Sequence, residues 1–259
     1  KAKINDKNEI TVIGLGAIDQ FKLNLDDDLD EDQKRLVAVL PVNNQWNYAL
    51  GVNWKNYRET GYSEFVVSRN MLNNEAFKYE DNIVADANLN LNYKSQEIEN
   101  KLRVENNWRK NGWKINYGVL YEFVRYNNST FTKLTLPGGS IDTIDFSSAV
   151  DIHKWGAFGQ VSRSFVEGRL LLSLGARIDG NSYSKQMAKT YETFSPRFSI
   201  SYAINDQFNL NANVGRYFQL PPYTTLGFRN NSGTLVNKEN DIKYIASNHA
   251  VLGGEFITK

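Results

Sequence analysis

Several groups of residues in this chain have the types and spacing to do chemistry. In residues 93–108 the odd positions Ser95, Glu97, Glu99, Lys101, Arg103 and Glu105 are nearly all charged, while Ile98, Leu102, Val104 and Trp108 stand opposite. Beside the polar row Lys114, Asn116 and Glu122, such a face would line water or hold a packed domain if it looked into a barrel. On a soluble surface it would be a solvated face with cross-strand ion pairs of little worth. The acidic run Asp26, Asp27, Asp28, Asp30, Glu31 and Asp32 lacks the Gly and closing Glu of a calcium loop. It reads as a solvated outer loop, with weak divalent-cation binding as the alternative. His153 and His249 are too far apart for metal-ligand spacing and read as strand-end residues. Gly14 and Gly16 follow an apolar run, but Asp19 replaces the third glycine of a dinucleotide fingerprint and no amphipathic helix follows. With no Cys, thiolate chemistry and disulfides are also removed. No catalytic site, cofactor or metal is expected.

The elements that position these residues are strands. The chain has 259 residues, 41% hydrophobic, 13% aromatic and a net charge of +1, so it should fold, and it carries no basic field for nucleic acid. No apolar run approaches the ~18 residues of a transmembrane helix. Instead the pattern alternates. Trp113, Ile115, Tyr117, Val119, Tyr121 and Phe123 share one face, against Lys114, Asn116, Gly118 and Glu122. Trp46, Tyr48, Leu50, Val52 and Trp54 oppose Asn47, Gly51, Asn53 and Lys55, and residues 170–178, 194–203 and 208–214 repeat the design. Period 2 means a strand between an apolar and a polar medium.

Loop length separates the candidate media. Short turns fall near residues 6–8, 59–61, 110–112, 167–168 and 205–207, and long polar stretches span roughly 18–45, 71–88, 127–150, 180–192 and 219–242. Short connections at one end and long ones at the other characterise an outer-membrane barrel; a soluble sandwich has no reason to segregate them. The pattern lengths, 12 residues or more in several strands, also exceed the ~5–6 of soluble strands. The expected fold is all-β, a transmembrane antiparallel β-barrel represented by about ten strands. Trp46, Trp54, Trp108, Trp113, Trp155, Tyr57, Tyr62 and Phe208 are then interfacial girdle residues. Gly51, Gly118, Gly156, Gly175 and Gly215 lie on the polar face, leaving room for something packed inside or serving strand curvature.

An ordered set of short motifs then carries a resemblance. These are Phe158 and Gln160; Leu172, Leu174, Gly175, Arg177 and Asp179; Ser195, Pro196 and Arg197; Gly215, Arg216 and Pro221; and His249, Gly253 and Glu255. The set resembles the barrel of TonB-dependent outer-membrane receptors. The resemblance implies a barrel of about 22 strands around an N-terminal plug. It also implies a coupling segment pulled by TonB, outer-membrane lipid around the wall, location in the outer membrane of a Gram-negative cell, and active import of a scarce nutrient. Iron chelates, cobalamin, metal complexes and glycans are the candidate cargoes. The chain opens "KAKINDKNEI" and closes "GGEFITK" within a strand pattern, so residues 1–259 are expected to be an interior piece of the barrel domain without its plug. The strand ending at Pro221-Pro222 should leave the sheet there and enter an outer loop.

In such a barrel Glu97, Glu99, Lys101, Arg103, Glu105 and Glu122 face the lumen. Cargo should bind at the extracellular mouth, where long loops converge, with Arg69, Tyr126, Asp179, Tyr183, Gln219, Tyr223 and Arg229 as the candidate contacts. For Gln219 and Tyr223 the alternative is that they only fix the Pro221-Pro222 turn. The competing functions are an outer-membrane barrel hydrolase, with a His paired to Ser or Asp at the rim, and a passive porin or adhesin barrel. The transporter is not expected to be an enzyme.

Overall fold

In a computed structural model, which describes residues 1–25 and 28–258, the chain forms one 11-stranded antiparallel sheet. Its strands are β1 (Ala2–Asn5), β2 (Asn8–Phe21), β3 (Val42–Arg58), β4 (Gly61–Tyr79), β5 (Leu89–Lys110) and β6 (Trp113–Thr135), followed by β7 (Ile141–Phe165), β8 (Leu170–Asn181), β9 (Ser195–Ala203), β10 (Phe208–Gln219) and β11 (Ile245–Phe256). Each strand pairs with its sequence neighbours, the order of an up-and-down barrel wall. The count of about ten misses only the short β1. Tight turns close one end. At Asn111-Gly112 both residues have positive φ, 51° and 77°, the conformation that a two-residue hairpin with the right-handed strand twist demands.

The other end departs from expectation. Residues 71–79 belong to β4, and residues 127–135 and 141–150 to β6 and β7, leaving only 80–88 and 136–140 as connections. The polar stretches at 71–88 and 127–150 are therefore mostly strand, not loop. Their polarity sits on both faces and hides the alternation, while main-chain ladder bonds continue regardless of side chain. β6 and β7 reach 23 and 25 residues, about twice the ~9–11 that cross a membrane.

Register fixes the faces. Glu97↔Tyr126, Glu99↔Val124, Lys101↔Glu122, Arg103↔Leu120 and Glu105↔Gly118 share one face, which continues through Lys154 and Gly156 of β7, Arg177 and Asp179 of β8 and Arg197 of β9. Residues 220–244 fold onto this inner face, since Tyr223 reaches Glu99. The outward face carries Val52↔Val67↔Leu102↔Tyr121, and Leu174↔Phe198 among others. Its large apolar side chains are bare: Val67 is 59% exposed, as is Leu174. On β6, Trp113 to Phe123 at about 3.4 Å per residue and a tilt of about 45° rises about 24 Å, close to the ~25 Å apolar band of an outer-membrane barrel.

Tyr57 and Tyr62 are not girdle residues. They pair with each other on the inner face, where the Lys55 ammonium lies 5.0 Å from the Tyr62 ring. The glycines on the inner face are covered by the sheet itself. A Cβ on Gly118 would sit 2.9 Å from the Phe158 ring, and one on Gly215 3.0 Å from the Tyr217 ring. Aromatic side chains from the wall occupy that space, a known way to shield strand glycines.

Of the acidic run, Asp26 and Asp27 lie outside the described residues. Asp30 caps helix α1 (Glu31–Val39): its carboxylate accepts from Gln33 N at 2.8 Å and the Gln33 side chain accepts from Asp30 N at 3.0 Å. This reciprocal box satisfies orphan helix donors and accounts for Asp30 without a cation. Among the described residues no cluster of His, Asp and Glu is placed to hold a metal.

Candidate functional site

The site begins with a break in the polarity of the inner face. Val124 of β6 and Ile152 of β7 are fully buried, and Val150 beside them nearly so, although they share a face with Glu122 and Lys154. Apolar side chains there need a cover, and residues 220–244 supply it. The chain leaves β10 at Pro221-Pro222, where the missing N–H groups end the ladder. It then forms two single-turn helices, α2 (Tyr223–Leu226) and α3 (Val236–Glu239). Leu226 enters the core formed by Val124, Val150 and Ile152 with Tyr183 and Met187 from residues 182–194. Leu220, Leu235, Ile242 and Tyr244 pack around it.

Polar groups lock this cover in place. The Tyr183 hydroxyl donates to Leu226 O at 2.7 Å, Asn237 Nδ2 donates to Thr225 O at 2.7 Å, and Asn181 Nδ2 donates to the Tyr244 hydroxyl at 2.7 Å. Gly227 lies so close to Tyr126 that a Cβ would meet its ring at 2.5 Å. Burial raises the phenol pKa of Tyr183 and Tyr223, and pushes that of Tyr244 up to about 12. For Tyr223 the hydrogen bond it gives to Glu99 adds to the effect. All three hydroxyls are therefore held neutral, Tyr183 and Tyr223 as donors and Tyr244 as the acceptor from Asn181.

Below the cover lies the polar part of the site. Tyr223 donates to Glu99 Oε1 at 2.5 Å, and Glu99 also takes Lys101 Nζ at 2.6 Å and Asn70 Nδ2 at 2.9 Å. Lys154 Nζ pairs with Glu122 Oε2 at 2.6 Å, and Arg177 grips Asp179 with two bonds of 2.7 and 2.8 Å. A cleft of about 630 Å³ opens between these pairs and the cover, lined by Glu122, Lys154, Arg177, Asp179, Arg197, Gln219 and Tyr223 among others. A second cleft of about 590 Å³ runs from it along the wall past Lys101, Arg103 and Glu105, the two sharing Glu122, Arg177 and Arg197. Arg197 lies over the Tyr217 ring at 4.5 Å, and His249 flanks the same ring at 4.9 Å. The arrangement offers donors, acceptors and both signs of charge to a polar solute of small-molecule size.

The seven residues expected at the mouth divide. Asp179, Gln219 and Tyr223 line the larger cleft. Tyr126 and Tyr183 are 1% and 2% exposed, because the apolar window and its cover enclose them; they build the site without facing its space. Arg229 holds the loop, donating to Gly233 O at 2.6 Å and Ser148 Oγ at 3.3 Å. Arg69 is misplaced by the sequence reading. It lies within β4, ten residues before that strand ends at Tyr79, and on the outward face, because β4 continues through the polar stretch taken for loop. The six residues expected in the lumen share the inner face. Lys154, Arg177, Arg197 and Tyr244 were not singled out as cargo contacts. Val124, Val150 and Ile152, apolar on an otherwise polar face, were the signal that could have located the cover.

The histidines sit within strands, not at their ends, and on opposite faces. His153 Nδ1 lies 2.6 Å from the outward Tyr121 hydroxyl, and His249 Nε2 2.8 Å from Ser247 Oγ on the inner face of β11. They form no joint site.

Residues 8–250 match the family model described as TonB dependent receptor-like, beta-barrel. The chain belongs to this family of TonB-dependent receptor β-barrels. Among solved structures it is similar to the copper transporter OprC, with a TM-score of 0.69 and 15% identity over 98% of this chain and 41% of that one. It is also similar to the siderophore receptor PirA of Pseudomonas aeruginosa, with a TM-score of 0.63 and 13% identity over 99% of this chain and 41% of that one. A variant of the ferric enterobactin receptor PfeA of Pseudomonas aeruginosa gives a TM-score of 0.59 and 14% identity over 86% of this chain and 32% of that one. No curated protein matches. At these identities the likeness shows the fold, and the chain spans about two fifths or less of the length of these solved proteins.

Proposed function

We propose that this chain is part of the wall and mouth of an outer-membrane importer of a Gram-negative cell, energised through TonB, that takes up a small polar metal chelate. The whole protein would add the remaining strands, the plug and the TonB-coupling segment. Family membership and the up-and-down sheet support the importer class, and the copper and siderophore proteins among its structural neighbours favour a metal-bearing cargo over a glycan. One observation carries the assignment of the site: the inner face holds a cleft of about 630 Å³ between paired charges and the inward-folded residues 220–244.

In this reading Arg177, Arg197 and Lys154 supply donors to the acidic oxygens of a chelate, and Tyr223 and Gln219 supply neutral hydrogen bonds. The test is uptake by cells carrying the full-length gene or its deletion, with radiolabelled ferric chelates, copper, cobalamin and an oligosaccharide offered separately, with and without a protonophore. Energy-dependent uptake of a metal-bearing solute that is lost on deletion and reduced by Arg197→Ala supports the proposal. Uptake confined to the oligosaccharide, or unaffected by the protonophore, refutes it.

A further inference from the structure

Arg69 occupies a position that cargo binding leaves unexplained. It stands on the outward face in the row Leu50↔Arg69↔Asn100↔Phe123, directly above the apolar row Val52↔Val67↔Leu102↔Tyr121. Its guanidinium is held in a fixed direction, Nε donating to the Tyr48 hydroxyl at 3.0 Å and a terminal nitrogen to Asn100 Oδ1 at 2.8 Å. Both partners are neutral. The neighbouring cations are spent on carboxylates: Arg125 makes a two-bond pair with Asp151 at 2.8 and 2.9 Å, and Lys94 meets Glu75 at 2.8 Å. Among the described residues no carboxylate pairs with Arg69.

Beneath Arg69 the outward surface is hollowed into a groove of about 600 Å³, lined almost wholly by carbon from Leu50, Val52, Val67, Leu102 and Tyr121. Arg69 and Asn100 close its upper end. Higher still, the outward face turns polar, with Gln96 Nε2 donating to Asn73 Oδ1 at 3.1 Å and Asn127 Nδ2 to Gln96 Oε1 at 3.4 Å. With Met71 and Ile98 one row above it and the polar Asn73 and Gln96 two rows above, the unpaired cation lies close below the level where apolar surface gives way to water-loving surface, with an apolar trough on its membrane side.

We infer that this groove is a binding site for one lipid with an anionic phosphate headgroup, its phosphate on Arg69, which Asn100 holds in place, and an acyl chain lying along Val67, Leu102 and Tyr121. Charge complementarity selects the headgroup: a lone fixed guanidinium at a low-dielectric boundary pairs strongly with phosphate, and here no protein anion competes. The apolar trough selects a molecule that brings an acyl chain with that phosphate. The inference rests on the outward face meeting lipid, and is independent of which cargo the inner face binds.

The full-length protein in detergent would be titrated with diphosphoryl lipid A, its dephosphorylated form and inorganic phosphate, with bound lipid counted by native mass spectrometry. Binding of diphosphoryl lipid A about tenfold tighter than the dephosphorylated form, with no competition from millimolar phosphate, supports the site. So does loss of that preference in Arg69→Gln, with retention in Arg69→Lys and Arg125→Gln. The lipid series needs no substitution, so it stands even if Arg69→Gln does not fold. Equal binding of the two lipids, equal loss in Arg125→Gln, or displacement by free phosphate overturns the inference. A protein that enters nanodiscs normally but shows no preference sinks this site alone, whereas one that fails to enter them removes its basis as well.

Discussion

The lower and upper halves of the same strands obey opposite rules. Up to the row through Arg69, Asn100, Phe123 and His153, the outward face is apolar and the inner face polar, as in Tyr121 against Glu122. One step higher on β6 and β7 the polarity inverts: Arg125 and Asp151 face outward and are exposed, while Val124 and Ile152 face inward and are fully buried. Backbone hydrogen bonding is the same in both halves, so the inversion reflects the surroundings alone. In the proposed importer, lipid would lie outside and water inside below the row, and water outside and a folded loop inside above it. A strand in a barrel therefore reports the height of the membrane boundary by where its alternation changes phase.

The largest effects should come from breaking the inverted half from within. Ile152→Ala or Leu226→Ala removes a fully enclosed side chain, which costs about 2–5 kcal/mol where the surroundings cannot close the gap. Because these residues join the cover to the wall, the loss should appear as release of residues 220–244, measured by hydrogen exchange or limited proteolysis, with heat-resistant barrel migration in gels retained. If the whole wall unfolds instead, the cover is not a separable unit.

In the lower half the outward face is the sensitive one. Leu174→Arg, set among outward apolar residues, should cost about 2–4 kcal/mol in urea unfolding from lipid vesicles, and Ser173→Arg on the inner face far less. Equal penalties would contradict the assignment of the two faces.

The lower half was legible in the sequence because its two media differ everywhere along the strand. Trp113 to Phe123 alternates except at Leu120, and the Pro221-Pro222 stop and the Asn111-Gly112 turn follow from backbone chemistry that is local. The upper half was not legible. Asn127, Asn128, Ser129 and Thr130 are polar on both faces, so no period distinguishes strand from loop there, and only ladder pairing across β5, β6 and β7 reveals it. Misreading this stretch and the one at 71–88 as loops placed Tyr126 and Arg69 at strand ends, while each lies within a strand. The cover was invisible for a different reason. Tyr223 meets Glu99 across 124 residues, and nothing in either segment specifies that partner.

That contact yields a smaller, sharper test. Tyr223→Phe keeps the ring against Tyr126 and deletes only the hydroxyl that donates to Glu99. A hydrogen bond to a charged acceptor contributes about 1.5–3 kcal/mol, and Glu99 retains Lys101 and Asn70, so loosening of residues 220–244 should fall at or below the low end of that range. Cargo affinity separates two roles for the hydroxyl. If it only anchors the cover, the variant binds cargo as well as before once the cover is closed; if it also contacts cargo, affinity falls without added loop exchange.

The smallest effect belongs to the outward face of the upper half. Lys94 and Glu75 form a 2.8 Å ion pair whose side chains are 60% and 37% exposed, and they lie above the boundary row. In water such a pair is screened and must fix two long side chains, so Glu75→Gln should change stability by less than about 1 kcal/mol, and less again at high salt. The Lys154–Glu122 pair has nearly the same length, 2.6 Å, yet its side chains are only 21% and 16% exposed on the inner face. Glu122→Gln leaves a partly buried ammonium without its carboxylate and should cost clearly more. The contrast between the two substitutions, read by urea unfolding in the same vesicles, isolates surroundings from geometry. If Glu75→Gln proved as damaging as Glu122→Gln, Glu75 would lie in a low-dielectric setting, and the boundary row would have to be moved above it.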